Sequence, residues 1–142
     1  MMLLALMAFG VGMVFARRGS ANVGQNSQLN TLKIAVSKPD VKWDTWLKYG
    51  QALQSAKQYK EAAVAYEQVL KIDPYQSDSL RGSAYCWAIL KDGEAFYKFM
   101  GETIKVDPKL AKAVFEQPYA SAFLAESRFQ KLQKDAIAGS MD

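Results

Sequence analysis

Histidine is absent from this chain, and cysteine occurs once, at Cys86. The first absence removes the commonest general base and the commonest metal ligand together. The second rules out an intrachain disulfide, which fits a reducing compartment, although disulfide-free proteins also occur in oxidising ones. Cys86 stands between Tyr85 and Trp87 in a segment of helical pattern. With no histidine to activate it, it is expected to pack in a core rather than act as a nucleophile. Glycine-rich phosphate loops are missing too. Asp92-Gly93-Glu94 lacks the further ligands of a calcium loop and reads as a helix–helix turn. Asp40 and Asp44 read as charges at a helix start, where they suit the backbone dipole. Trp43, Trp46 and Trp87 could be taken for a ligand-stacking set, but Trp46 and Trp87 fall on core positions of the pattern described below. No catalytic residue, metal site, cofactor or small-molecule substrate is expected, and an enzyme is the least favoured class.

Clustered positive charge is also lacking. The net charge is +4, but the bases are interleaved with acids, as in KQYKEA and KDGEA. A nucleic-acid binder gathers its bases into a stripe that neutralises phosphates, so nucleic acid is not an expected partner. The only adjacent basic pair in the N-terminal third is Arg17-Arg18.

What is present begins with an uncharged run, MMLLALMAFGVGMVFA, directly before that pair. As a helix it would rise about 24 Å, short of a hydrocarbon core of about 30 Å, and the two arginines could lengthen it by snorkelling. A cleaved signal is the rival, with Val14 and Ala16, or Gly19 and Ala21, as small residues near a cleavage point. Signals carry their charge before the apolar core, however, and here it follows. A buried core helix is disfavoured by Arg17, Arg18 and the polar stretch after them. The expectation is an uncleaved transmembrane anchor over residues 1–18, flanked by Arg17 and Arg18. The basic flank places the following domain on the cytoplasmic side, with an exported or periplasmic side as the alternative. Residues 19–40, beginning GSANVGQNSQLN, read as a linker. It includes the short apolar segment TLKIAVS and closes near Pro39.

From Trp43 the pattern turns helical. Large apolar residues recur at Trp46, Tyr49 and Leu53, and again at Tyr59, Ala62, Tyr66 and Leu70, with SAKQY as the break. Two helices of about thirteen residues joined by a tight turn make an αα-hairpin. KIDP at 71–74 and KVDP at 105–108 then repeat one phrase with Pro74 and Pro108 thirty-four positions apart. Proline lacks an N–H and biases the residue before it out of the α region, so each phrase reads as a terminator between hairpins.

The spacing Trp46-x2-Tyr49-Gly50-x2-Leu53, then Ala62-x3-Tyr66, then Pro74, resembles the tetratricopeptide repeat, whose period is 34 residues. Gly50 and Ala62 are expected where the two helices cross. Leu80, Ala84 and Trp87 take the places of Trp46, Gly50 and Leu53 in the next unit. In strict register Phe96 would fall on the small Ala62 position. A turn one residue shorter brings Ala95-x3-Phe99 into that place, and this shifted reading is preferred. The third unit is interrupted by Pro118, and FLAESRFQKLQ resembles a closing helix of such arrays. The resemblance implies an all-α fold, antiparallel hairpins stacked as a short right-handed superhelix behind the apolar N-terminal helix. Its domain is expected over 41–138, with repeats at about 43–76 and 77–110 and capping helices at 111–135.

Such arrays carry a concave groove lined by the first helix of each repeat, and the resemblance implies that it receives an extended peptide or a partner helix. On that frame the groove positions are Leu47, Lys48, Gln51 and Gln54, then Arg81, Tyr85 and Ile89. One branch of the family grips C-terminal carboxylates with a Lys/Asn clamp. Gln51 and Leu47 stand at those places here, which argues against that use. The functional expectation is a membrane-tethered scaffold or accessory subunit whose partners are other proteins of a membrane complex. The alternative is a transient receptor or assembly factor for client proteins in import or complex biogenesis.

Overall fold

The computed structural model describes residues 9–142, with side chains from residue 23 onward. The described residues are all-α: α1 (Phe9–Val36), α2 (Trp43–Ser55), α3 (Tyr59–Ile72), α4 (Ser77–Ile89), α5 (Gly93–Val106), α6 (Pro108–Phe115), a 3₁₀ helix (Pro118–Phe123) and α7 (Ser127–Gly139). Helices α1 to α5 pack chiefly on their neighbours in the chain, while the 3₁₀ helix reaches back to α4 and α7 packs on α6 and α5, an arrangement compatible with a helical repeat.

The first two hairpins are offset by 34 residues at every boundary that matters. Helices α2 and α4 begin at Trp43 and Ser77, and α3 and α5 at Tyr59 and Gly93. Their turns are the same motif. Lys57 and Lys91 both adopt left-handed backbone, with φ of 60° and 54°. Around the first, Lys57 N donates to Gln54 O at 2.9 Å and Gln58 N to Leu53 O at 2.9 Å. Around the second, Lys91 N donates to Ala88 O at 3.0 Å and Asp92 N to Trp87 O at 3.2 Å. This is the Schellman closure, which satisfies the carbonyls left free at a helix end.

The shortened second turn is therefore corrected, because strict register holds. Phe96 and Met100 are fully buried where Ala62 and Tyr66 stand one unit earlier, while Ala95 and Phe99 are half-buried. The bulk of Phe96 is accommodated because α4 and α5 approach each other less closely than α2 and α3. Phe96 then stacks on Phe123 at 4.8 Å and meets Phe115 edge-on at 6.3 Å.

The two repeated phrases also differ in their work. Asp73 ends α3, and its Oδ1 accepts from Tyr75 N at 3.1 Å in a short turn. Helix α4 then starts under Gln76, whose Oε1 accepts from Ser79 N at 2.7 Å. Asp107 ends α5 and at once caps α6, accepting from Leu110 N at 2.9 Å. Pro108 is thus the first residue of the next helix, a position where its missing N–H costs nothing. It still marks the boundary expected of it, since α5 stops at Val106 just before it.

Two buried clusters form the interior. Leu53, Ala62, Ala63, Tyr66 and Cys86 make the first. Phe96, Met100, Val114, Phe115, Phe123 and Phe129 anchor the second. Trp87 packs against both. Helix α7 closes the array by seating Phe129 edge-on to Phe115 at 4.9 Å. Arg128 adds a two-pronged contact to Glu94 at 2.8 and 2.9 Å and lies 5.0 Å over the Tyr97 ring.

Residues 23–36, expected as irregular linker, are helical within α1. This helix packs on α2, and Leu29 rests against the first cluster. Tertiary contact decides the conformation of a polar segment that has little amphipathic pattern of its own. Among the described residues no helix is long and apolar enough to cross a membrane. The expected anchor of residues 1–18, with Arg17 and Arg18, lies outside the residues whose side chains are described.

Candidate binding groove

Three alternate helices, α2, α4 and α6, wall an open groove of about 730 Å³. From α2 come Gln51, Gln54 and Ser55, and from α4 come Asp78, Arg81, Gly82 and Tyr85. The far wall is Ala113 and Val114 of α6, with Gln117 and Tyr119 beyond it.

Tyr66 of α3 reaches the groove between the two front helices, and its position follows from the absence of two side chains. A Cβ on Gly50 would lie 2.8 Å from Tyr66 Cε1, and one on Gly82 would overlap the other edge of the same ring. Glycine at both places lets α2 and α4 close on the two edges of the phenol ring. Tyr66 is 2 % exposed, and its hydroxyl donates to Gln54 Oε1 at 2.7 Å. Burial raises its pKa, with the nearby Cys86 and Asp78 adding to the shift. The hydroxyl therefore remains a donor throughout the physiological range.

Tyr85 is the centre of an aromatic file. Its ring meets Tyr59 at 6.0 Å and Tyr119 at 5.2 Å, the latter at 89°. Burial first, and then Tyr59 beside it, raise the Tyr85 pKa. For Tyr119 burial raises the pKa while the Arg81 charge pulls the other way. Arg81 is exposed and forms no salt bridge among the described residues.

Of the residues expected in the groove, Gln51, Gln54, Arg81 and Tyr85 are brought together there. The other three are not part of its wall. Leu47 is half-buried and packs against the first core cluster. Lys48 is exposed and lies 4.0 Å from Asp44 in an ion pair along α2. Ile89 is exposed at the last turn of α4. Sequence reasoning missed Tyr119 and Gln117, since the third unit was read only as a cap interrupted at Pro118. The signal available was the unit itself, whose first helix belongs in the row begun by the first helices of the other two.

Cys86 is buried, and burial pushes its thiol up to about 12, which makes it a packing residue as expected. Asp92 caps α5 by accepting from Ala95 N at 3.0 Å, the turn function expected of Asp92-Gly93-Glu94. Among the described residues no three histidine, cysteine or carboxylate side chains gather as a metal site.

Compared with family models, with curated proteins and with solved structures, the chain matches none.

Proposed function

We propose that this chain is a short tetratricopeptide-type solenoid that binds another protein in the groove between α2, α4 and α6. It serves as a membrane-tethered scaffold or accessory subunit, held by residues 1–18 with the helical domain on the cytoplasmic side. The observation that carries the reading is the convergence of Gln51, Gln54, Arg81, Tyr85 and Tyr119 on one open face. These are amide, guanidinium and phenol groups, and arginine and tyrosine are the types that concentrate interface energy. The buried state of Cys86 and the lack of histidine support a binding role over a catalytic one. So small a groove suits a partner confined to the same membrane, where tethering raises the effective concentration.

A photo-crosslinking residue placed at Gln51, and in a second preparation at the exposed Val64 of α3, tests the groove in intact cells. The expected result is one discrete crosslinked partner from position 51, absent from position 64 and lost when Tyr85→Ala is added. Crosslinking from position 64 alone, or from neither position, rejects the groove as the binding face. Fractionation of the same cells, with protease added to intact membranes, tests the tether and its side.

A further inference from the structure

The groove's polar groups point in complementary senses, and this limits what can fill it. Gln54 Oε1 is engaged by the Tyr66 hydroxyl at 2.7 Å, so its amide N–H₂ is the end left for the groove. Gln117 is the opposite case. Its Nε2 donates to Ala113 O at 3.2 Å, and its Oε1 is left as an acceptor. One wall therefore offers a donor and the other an acceptor, the two functions that a peptide unit needs on its C=O and its N–H. Packed helices lie about 8–10 Å apart, so from α2 to α6 spans roughly 20 Å, the length of about six extended residues. Between the two amides stands α4, with Arg81 unpaired among the described residues and Asp78 one turn before it.

We infer that the groove takes an extended segment of a partner protein, its main chain held at both ends by the Gln54 and Gln117 amides and one acidic side chain held by Arg81 between them. This rests on the groove-binding function proposed above. Charge complementarity selects the acid, since a guanidinium without a salt-bridge partner among the described residues, lining the same groove as the Tyr85 and Tyr119 phenols, is a site for a carboxylate. Asp78, three residues away on the same helix, repels a second negative charge, so the segment carries a single acid rather than an acidic tract. Tyr66 acts as a positioning residue. Fixed between Gly50 and Gly82, it sets the orientation of the Gln54 amide without itself being the main contact.

The full chain in detergent micelles, immobilised and panned against a phage library of random 12-residue peptides, tests this. Selected peptides are then titrated as fluorescent probes against the wild type and the variants Arg81→Gln, Tyr66→Phe, Tyr85→Ala and, as an off-groove charge control, Lys105→Gln. The expected outcome is enrichment of Asp or Glu at one internal position. Arg81→Gln should weaken binding by about tenfold or more, the worth of one charged hydrogen-bonded contact, and Lys105→Gln should not. Tyr66→Phe should weaken it several-fold while thermal unfolding moves little, a split that a merely structural tyrosine would not give. Peptides that require Tyr85 but show no acidic position, or an acidic tract or C-terminal carboxylate instead, overturn the inference and leave the groove reading standing. Binding that ignores Tyr85→Ala, or no selected peptide at all, removes both.

Discussion

Gly82 of α4 lies so close to the ring of Tyr66 on α3 that a methyl group on the glycine would overlap the ring edge. This contact, with its counterpart at Gly50, makes the groove wall sensitive to a single carbon. Gly82→Ala should destabilise the protein by about 1–3 kcal/mol through overpacking, reduced by up to about 1 kcal/mol of helix propensity gained. Gly101, mid-helix in α5 with nothing within 4 Å of a Cβ, is the control. There the same change should stabilise by about 0.8–1 kcal/mol. Urea unfolding of the two variants should move in opposite directions; equal shifts would refute the packing of Tyr66.

The left-handed lysines at the two turns predict a gain. A non-glycine residue in this conformation carries a penalty of about 1–2 kcal/mol, partly offset by glycine's greater freedom when unfolded. Lys57→Gly and Lys91→Gly should each raise stability by about 0.5–1 kcal/mol, and the double variant should show the sum. Thermal denaturation of the three variants decides it.

Register can be tested by truncation. Phe96, fully buried against Phe115 and Phe123, should cost about 3–5 kcal/mol as Phe96→Ala. Phe99, half-buried on the same helix, should cost distinctly less as Phe99→Ala. The reverse order in chemical denaturation would restore the shifted alignment.

Cys86 gives a pH dependence. An unfolded thiol ionises near pH 8.5, whereas the folded one is held protonated to about 12 by burial. Because the folded value is raised, the native state binds the extra proton between these limits, and stability is full below about pH 8.5. It should then fall by up to about 1.4 kcal/mol per pH unit as pH rises toward 12. The buried Tyr66, also raised, adds to the fall above its ordinary value near pH 10. Cys86→Ala should flatten the profile between about pH 8.5 and 10. An unchanged slope in guanidinium melts across that window would show that the thiol is not protected.

How much of this was readable beforehand depended on what kind of interaction decides each feature. The hairpins follow from helical periodicity, which is local, while the groove residues Gln51, Gln54, Arg81 and Tyr85 follow from the repeat frame that the resemblance implies. The second register is not legible from side-chain size at Phe96, because the spacing is held by turns whose left-handed residues are lysines, a type that carries no signature of that conformation. Leu47 falls outside the groove because a helical frame assigns faces only coarsely and the core takes a residue at the edge of the stripe, whereas Ile89 stands exposed at the last turn of α4, off the groove wall. Tyr119 sits in the groove through the fold of the 3₁₀ segment that begins at Pro118, in which Ala120 and Phe123 are buried. Helicity over 23–36 comes from Leu29 meeting the first cluster, a contact between distant residues.

Helix α1 has a mechanical consequence. Its 28 residues extend about 42 Å at the usual rise, and its final turns are packed on α2, one wall of the groove. A continuous helix transmits angle as well as distance. Inserting one residue ahead of Leu29 would turn everything before it by about 100° relative to the groove, whereas inserting seven would nearly restore the phase. The direction in which the groove faces, as seen from the N-terminal end, is thus set by a residue count rather than left to a swivel.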